Sequence, residues 1–199
     1  MPDMQPDLSR RAEMLLDFWF APERASEHDR LRDIWFQATP EFDAALAARF
    51  RADYDRAAAG VYGPWRTAPR TSLALILLLD QLPRNLFRNS PRAYATDAAA
   101  LEIASDAAAR GYDRAVAPVW RSFFYLPFQH SERLTDQETA MRLYAALPEH
   151  PDKTSFVEAA RRHYAIIARF GRFPHRNRIL ARAATAEEQE FLKQPDSAF

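Results

Sequence analysis

Apolar residues recur along the chain at the spacing of helix faces. The first stripe follows i, i+4, i+7, i+8, i+11 and i+12, at Leu8, Ala12, Leu15, Leu16, Trp19 and Phe20. A second stripe runs from Phe42 to Ala57. Three- and four-residue spacing places side chains on one side of an α-helix. The pattern therefore predicts amphipathic helices, and we find no convincing strand pattern.

Helix-capping residues predict where the helices begin and end. Thr39-Pro40 is typical of an N-cap followed by a proline in the first turn. Capping boxes are expected at Thr135-x-x-Glu138 and Thr185-x-x-Glu188. Glycines just past the predicted helix ends are Gly60, Gly111 and Gly171.

The most hydrophobic segment, Leu73 to Leu82, is apolar on nearly every side and predicts a buried central helix. Proline lacks an amide hydrogen and clashes with the preceding turn. We therefore expect Pro83 to interrupt this helix, and Pro127 to interrupt a later helix that opens at Pro118.

Together these elements predict an all-α protein of about eight or nine helices, either an antiparallel helical bundle or a tetratricopeptide-like helical array. The 199 residues, 48% hydrophobic and 27% charged, suit one domain over residues 1–199, with residues 1–7 as a disordered tail. The absence of Cys excludes disulfides and thiolate sites. The four glycines form no phosphate-binding loop.

Charge and hydropathy limit the partners. Lys and Arg number 27, as do Asp and Glu, so a nucleic-acid partner is not expected. The longest apolar run, Leu73–Leu79, falls far short of the roughly 20 residues of a membrane-spanning helix. The polar N-terminus lacks a secretory pattern. We therefore expect a cytoplasmic protein without a membrane partner.

Two polar segments follow strongly apolar sequence. In the first, Asp80 and Arg84 would lie at i and i+4 if the helix continued. In the second, His130 and Glu132 follow an aromatic run, and His with Glu can act as an acid–base pair or as metal ligands. For the first segment, the alternative is an Asp–Arg ion pair that closes a helix end. For the second segment, the alternative is an aromatic core cluster followed by a capped turn.

The third segment is strongly basic. Residues 159–186 contain seven Arg and no Asp or Glu, and Arg172, His175 and Arg176 lie in the turn after Gly171. An Arg side chain offers a rigid fork of donors that suits carboxylate and phosphate. Alternatively, these arginines pair with acids elsewhere in the fold. His163 lies on an apolar helix stripe and is typical of a core residue. Metal-binding spacings such as His-x-x-x-His are missing, so we predict no metal and no cofactor.

Four motifs in this order resemble a bacterial family known as domain of unknown function 924. They are Leu15–Phe20, Asp80–Arg88, Tyr125–Glu132 and Phe170–Asn177. The resemblance implies an all-helical, tetratricopeptide-like fold and no established activity, substrate or cofactor. The family usually has Gly at the positions of Asn89 and Ala181, and we expect these departures to alter the two turns.

The residues themselves suggest that the three polar segments converge on one cleft. We expect Arg84, Arg172 and Arg176 to bind a small anionic ligand or an acidic peptide terminus. In this hypothesis Asp80 and Glu132 orient the arginines, and His130 and His175 add donors. The alternatives are a hydrolase-type enzyme with a His/Glu site, with or without a metal, and a protein-interaction scaffold. Catalytic residues are not assigned.

Overall fold

The protein is all-helical in the computed structural model, which describes residues 4–195 and 197 except 23, 26–27 and 37–38. The helices are α1 (Met4–Phe20), α2 (Pro40–Ala58), α3 (Pro69–Ile76), α4 (Leu82–Leu86), α5 (Asp97–Ala109), α6 (Pro118–His130), α7 (Leu134–Ala145), α8 (Lys153–Phe170) and α9 (Ala186–Phe191). A π-helical turn, Leu77–Gln81, joins α3 and α4 into one continuous helix. The described residues contain no strand, and the predicted fold class is confirmed.

The central helix is buried as predicted. Each residue from Leu73 to Leu79 is at most 3% exposed. Helices α1, α5 and α6 pack against α3, and α6, α7 and α8 pack against one another in chain order. Aromatic rings fill the space between α1 and α6, where Phe20 stacks on Trp120 with 4.4 Å between ring centroids. In the part of the chain that the structure describes, no helix has both the length and the apolar character needed to cross a membrane.

Most predicted helix ends are confirmed. The Thr39 side chain accepts a hydrogen bond from Phe42 N, and Thr185 forms a capping box with Glu188. The three predicted glycines adopt the left-handed backbone of helix C-termini, at Gly60, Gly111 and Gly171. Helix α1 begins at Met4, and the expected disordered tail over residues 1–7 stays a prediction. Residues 1–3 lie outside the described residues.

Both proline predictions are wrong, because the helices continue through Pro83 and Pro127. Pro83 has no amide hydrogen to bond the carbonyl of Leu79, four residues earlier. The Thr96 hydroxyl donates to that carbonyl instead, at 2.5 Å. The hydroxyl of Thr96, the residue just before α5, therefore replaces the missing backbone donor.

The capping box predicted at Thr135 is also absent, since α7 begins at Leu134 without a side-chain cap. The fully buried Gln137 side chain from this first turn instead serves the end of α6. Its Nε2 donates to the carbonyls of Gln129 and Ser131, both at 2.6 Å. These bonds satisfy helix-terminal carbonyls that would otherwise be unpaired, and they fix the segment that carries His130.

Candidate functional site

The central feature of the site is a buried carboxylate, Asp80, in the π-helical turn. Its side chain is fully buried. His130 Nδ1 lies 2.7 Å from Asp80 Oδ1, and Gln81 Nε2 donates to Oδ2 at 2.5 Å. The π-helical turn therefore presents Asp80 to the end of α6. Such turns are frequent at functional positions.

Arg84 connects this carboxylate to a second one. Its Nη2 lies 3.6 Å from Asp80 Oδ1, at the i, i+4 spacing expected from the sequence. The guanidinium also donates to the Asp80 carbonyl and makes a bidentate pair with Asp97, at 3.0 and 3.1 Å. Arg84 and Asp97 each keep 21% of their side-chain surface exposed, so the network reaches solvent at this edge.

Arg176 approaches the same edge from the turn after α8. Its Nη1 donates to the His130 carbonyl at 3.1 Å and lies 3.7 Å from Asp97 Oδ2. Its guanidinium lies over two aromatic rings, 4.7 Å from the centroid of Tyr94 and 4.4 Å from that of Phe173. Arg176 Nε is buried without a hydrogen-bond partner among the described residues. Burial and the nearby Arg84 lower the pKa of Arg176 to about 10, which leaves it charged at neutral pH.

The protonation of the network follows from burial and neighbouring charge. Burial opposes ionisation of Asp80, but His130, Arg84 and the hydrogen bond from Gln81 outweigh it and hold the pKa of Asp80 well below its usual value. Burial also lowers the pKa of His130 below 6.5, despite the attraction of Asp80. At neutral pH an ionised Asp80 can only accept, so His130 carries its proton on Nδ1. Burial, with repulsion from Asp80, raises the pKa of Asp97 although Arg84 opposes the shift.

Glu132 belongs to a neighbouring network that positions the turn carrying Arg176. Arg182 pairs with both oxygens of Glu132, at 2.6 and 3.0 Å, and Phe173 N donates to Oε1 at 2.8 Å. Burial opposes ionisation of Glu132, but these bonds lower its pKa. Glu132 therefore holds Arg182 and the Phe173 backbone, rather than orienting Arg172.

The remaining predicted residues differ in their placement. Arg172 pairs through Nε and Nη2 with Glu188, at 2.6 and 2.8 Å, and also donates to the Ala183 carbonyl. His175 lies beside Arg176, and its ring centroid is 5.6 Å from that of Phe173. Burial, followed by the charge of Arg176, lowers the pKa of His175 to about 4. His163 is buried, as expected from its apolar stripe, with its ring centroid 6.2 Å from that of His130.

The structure thus brings together part of the predicted set. Direct contacts join Asp80, Arg84, His130 and Arg176, while Glu132 and His175 flank this cluster through the Phe173–Arg176 turn. Arg172 makes its contacts at Glu188 instead. Sequence reasoning missed Asp97, because an acid in the first turn of a helix is ordinarily a favourable match for the helix dipole. It also missed Tyr94, which carries no local sequence signal. The pairing of Arg182 with Glu132 agrees with the alternative that arginines of the basic segment pair with acids elsewhere in the fold.

A metal-binding arrangement is not found among the described residues: no group of three or more His, Asp or Glu side chains there could hold a metal ion. The groups that a ligand could contact are two arginines and a neutral imidazole at the edge of a buried ion network. Such a network defines an all-helical protein in which a buried ion network reaches the surface at one edge.

Comparison with known proteins identifies the family. The family model described as "Bacterial protein of unknown function (DUF924)" matches residues 15–196, so the chain belongs to this family. It is similar to a solved structure of a protein of unknown function, ATU0120 from Agrobacterium tumefaciens. The two share 40% identity with a TM-score of 0.84, over 94% of this chain and 99% of that one. A search of the curated proteins finds no match.

Proposed function

We propose that the protein binds a small anionic ligand, or the acidic terminus of a peptide, at the edge formed by Arg84 and Arg176. One observation carries the proposal: two guanidinium groups converge on the single carboxylate of Asp97. Arginine forks are suited to carboxylate and phosphate, and Arg176 is already oriented by Tyr94 and Phe173. A preoriented arginine loses little freedom when a ligand binds.

Asp97 supports the proposal because its carboxylate occupies the position that a ligand anion would take. It lies at the first residue of α5 and is partly exposed. Burial and Asp80 raise the pKa of Asp97, so it carries the less favoured of the two negative charges in the network. An anion from solution can therefore replace it at the arginines without leaving either guanidinium unpaired.

The experiment measures anion binding by calorimetry for the wild type and three variants. Asp97→Asn keeps the shape but removes the competing charge, so we expect tighter binding of phosphate or citrate. Arg176→Ala should abolish binding. Arg178→Ala is the matched control, because Arg178 is an exposed arginine of the same segment, and it should bind as the wild type does. Absence of binding by both wild type and Asp97→Asn would reject the proposal.

A hydrolase-type enzyme is the second candidate, favoured by the 2.7 Å contact between His130 and Asp80. In such an enzyme Asp80, rather than Glu132, would be the carboxylate partner of His130, since Glu132 is paired with Arg182. The test is turnover of generic ester and phosphoester substrates by wild type and His130→Gln, with and without added divalent metal. If neither turnover nor anion binding is detected, the protein-interaction scaffold is the remaining hypothesis.

A further inference from the structure

His130 offers a hydrogen-bond acceptor in the network that also contains Arg84 and Arg176. Its Nδ1 is engaged by Asp80, and its backbone carbonyl by Arg176. Its other ring nitrogen, Nε2, has no hydrogen-bond partner among the described residues, and the side chain keeps 12% of its surface exposed. Because the carboxylate of Asp80 fixes the proton on Nδ1, Nε2 presents a lone pair.

An acceptor in an anion site selects among anions. Arginine donates to any oxyanion and does not discriminate between anions of similar shape and charge. A lone pair at His130 Nε2 is satisfied only by a ligand atom that carries a proton, and it repels a bare anionic oxygen. Sites that hydrogen-bond a ligand hydroxyl reject analogues that lack it, because a polar group is then left unpaired.

We propose that His130 Nε2 accepts a hydrogen bond from the ligand, so that the site selects small oxyanions bearing an O–H group over oxyanions of the same shape and charge without one. This inference rests on the proposed anion site at Arg84 and Arg176. Asp80 is the positioning residue, since it sets which ring nitrogen of His130 is the acceptor. The proposal gives the His130 ring an acceptor role toward the ligand, whereas the sequence suggested a donor.

Inorganic phosphate and sulfate form a matched pair of probes. Both are tetrahedral, and hydrogen phosphate, the major form of phosphate at pH 7.5, carries two negative charges as sulfate does, but only phosphate has an O–H group. Calorimetry with the full-length wild-type protein at pH 7.5 should give an affinity for phosphate about tenfold or more above that for sulfate. Arg178→Ala is the control and should keep this preference, whereas His130→Phe should lose it while retaining Arg84 and Arg176.

A second measurement keeps the inference testable if His130→Phe does not fold. Nitrogen-15 NMR of the wild-type imidazoles distinguishes the two tautomers directly, and it should find His130 protonated on Nδ1. Addition of phosphate should shift the Nε2 resonance more than addition of sulfate does at the same occupancy of the site.

The outcomes separate this inference from the proposed function. If neither anion binds, the anion site is rejected and the inference falls with it. If both anions bind with equal affinity, or if the proton is found on Nε2, the anion site stands and the selectivity of His130 is rejected. Binding of both anions that persists in Arg176→Ala would mark the ions as adventitious and would also overturn the inference.

Discussion

Ala181 has a left-handed backbone, with φ of 53°, although it carries a β-carbon. Asn89 has a similar conformation, with φ of 59°. The resemblance to the family implies Gly at these two positions, and we expected altered turns there. The turns instead keep the backbone that glycine favours, and the side chain is accommodated with strain. At position 181 this turn leads directly into Arg182, which holds Glu132.

Replacing Ala181 with Gly should stabilise the protein. Left-handed backbone costs a non-glycine residue about 1 kcal/mol or more, and part of this gain is offset because glycine is freer in the unfolded chain. We expect the free energy of unfolding to rise by about 1 kcal/mol, measured by urea denaturation. Asn89→Gly is the matched comparison, and it should gain less because asparagine tolerates this conformation. A loss of stability in Ala181→Gly would contradict this account.

At the scale of single elements, the continuous helix from α3 through the π-helical turn to α4 depends on a donor from outside it. The Thr96 hydroxyl bonds the Leu79 carbonyl that Pro83 cannot serve. Thr96 precedes α5 but makes no side-chain cap to it. Its hydroxyl therefore acts on the central helix, not on the helix that it begins.

Thr96→Val should accordingly destabilise the central helix, since valine has the same shape but no hydroxyl. A carbonyl left without a donor costs about 1–3 kcal/mol when buried. In a protein of this size each kcal/mol lowers the thermal midpoint by roughly 2–4 °C. Thr139→Val is the control, because the Thr139 hydroxyl bonds an exposed carbonyl of its own helix, and its midpoint should change little. Equal shifts for both variants would refute the role assigned to Thr96.

The helices themselves were predictable because their signals are local. The stripes and glycines, and the caps at Thr39 and Thr185, act within a few residues of chain, and the structure confirms them. The continuation through Pro83 was not predictable, because the compensating donor lies 17 residues beyond the carbonyl that it bonds. Local rules treat a proline as a helix breaker, and only the tertiary structure supplies the replacement.

At the scale of the whole molecule, buried neutral histidines couple stability to pH. Burial lowers the pKa of His163 to about 3, well below 6.5. Between these values the unfolded chain binds a proton that the folded chain does not, so stability falls as the pH decreases. The slope is about 1.4 kcal/mol per pH unit for one such histidine.

The measurement is urea denaturation from pH 7 to pH 5, where most carboxylates stay ionised in both states. Stability should fall across this range, and it should fall less steeply in His163→Asn, which removes the titrating group. The His163→Asn curve is read by its slope, so a uniform loss of stability does not affect the result. A wild-type stability independent of pH in this range would contradict the prediction.

The candidate site was predictable only in part, for reasons of chain distance. Asp80 and Arg84 are one helical turn apart, so their proximity could be inferred from the sequence. Arg172 has the same chemistry as Arg176, yet its partner Glu188 is supplied by the capping box of α9. Which arginine of a basic segment reaches a site depends on the acids that other elements bring to it. The binding role of these residues stays a prediction.

The π-helical turn holds one more residue per turn than an α-helix would. Each residue turns an α-helix by about 100°, and the wider π-helical turn spreads about the rotation of four such residues over five, so deleting one residue from Leu77–Gln81 would restore ordinary winding and leave α4 with nearly the same orientation relative to α3. Arg84 would then stay on the side of the helix that faces Asp97, but the widened turn that presents Asp80 to the end of α6 would be lost. In evolutionary terms, the gain or loss of a single codon in this stretch changes how one buried carboxylate is presented without turning the arginine away from the polar edge.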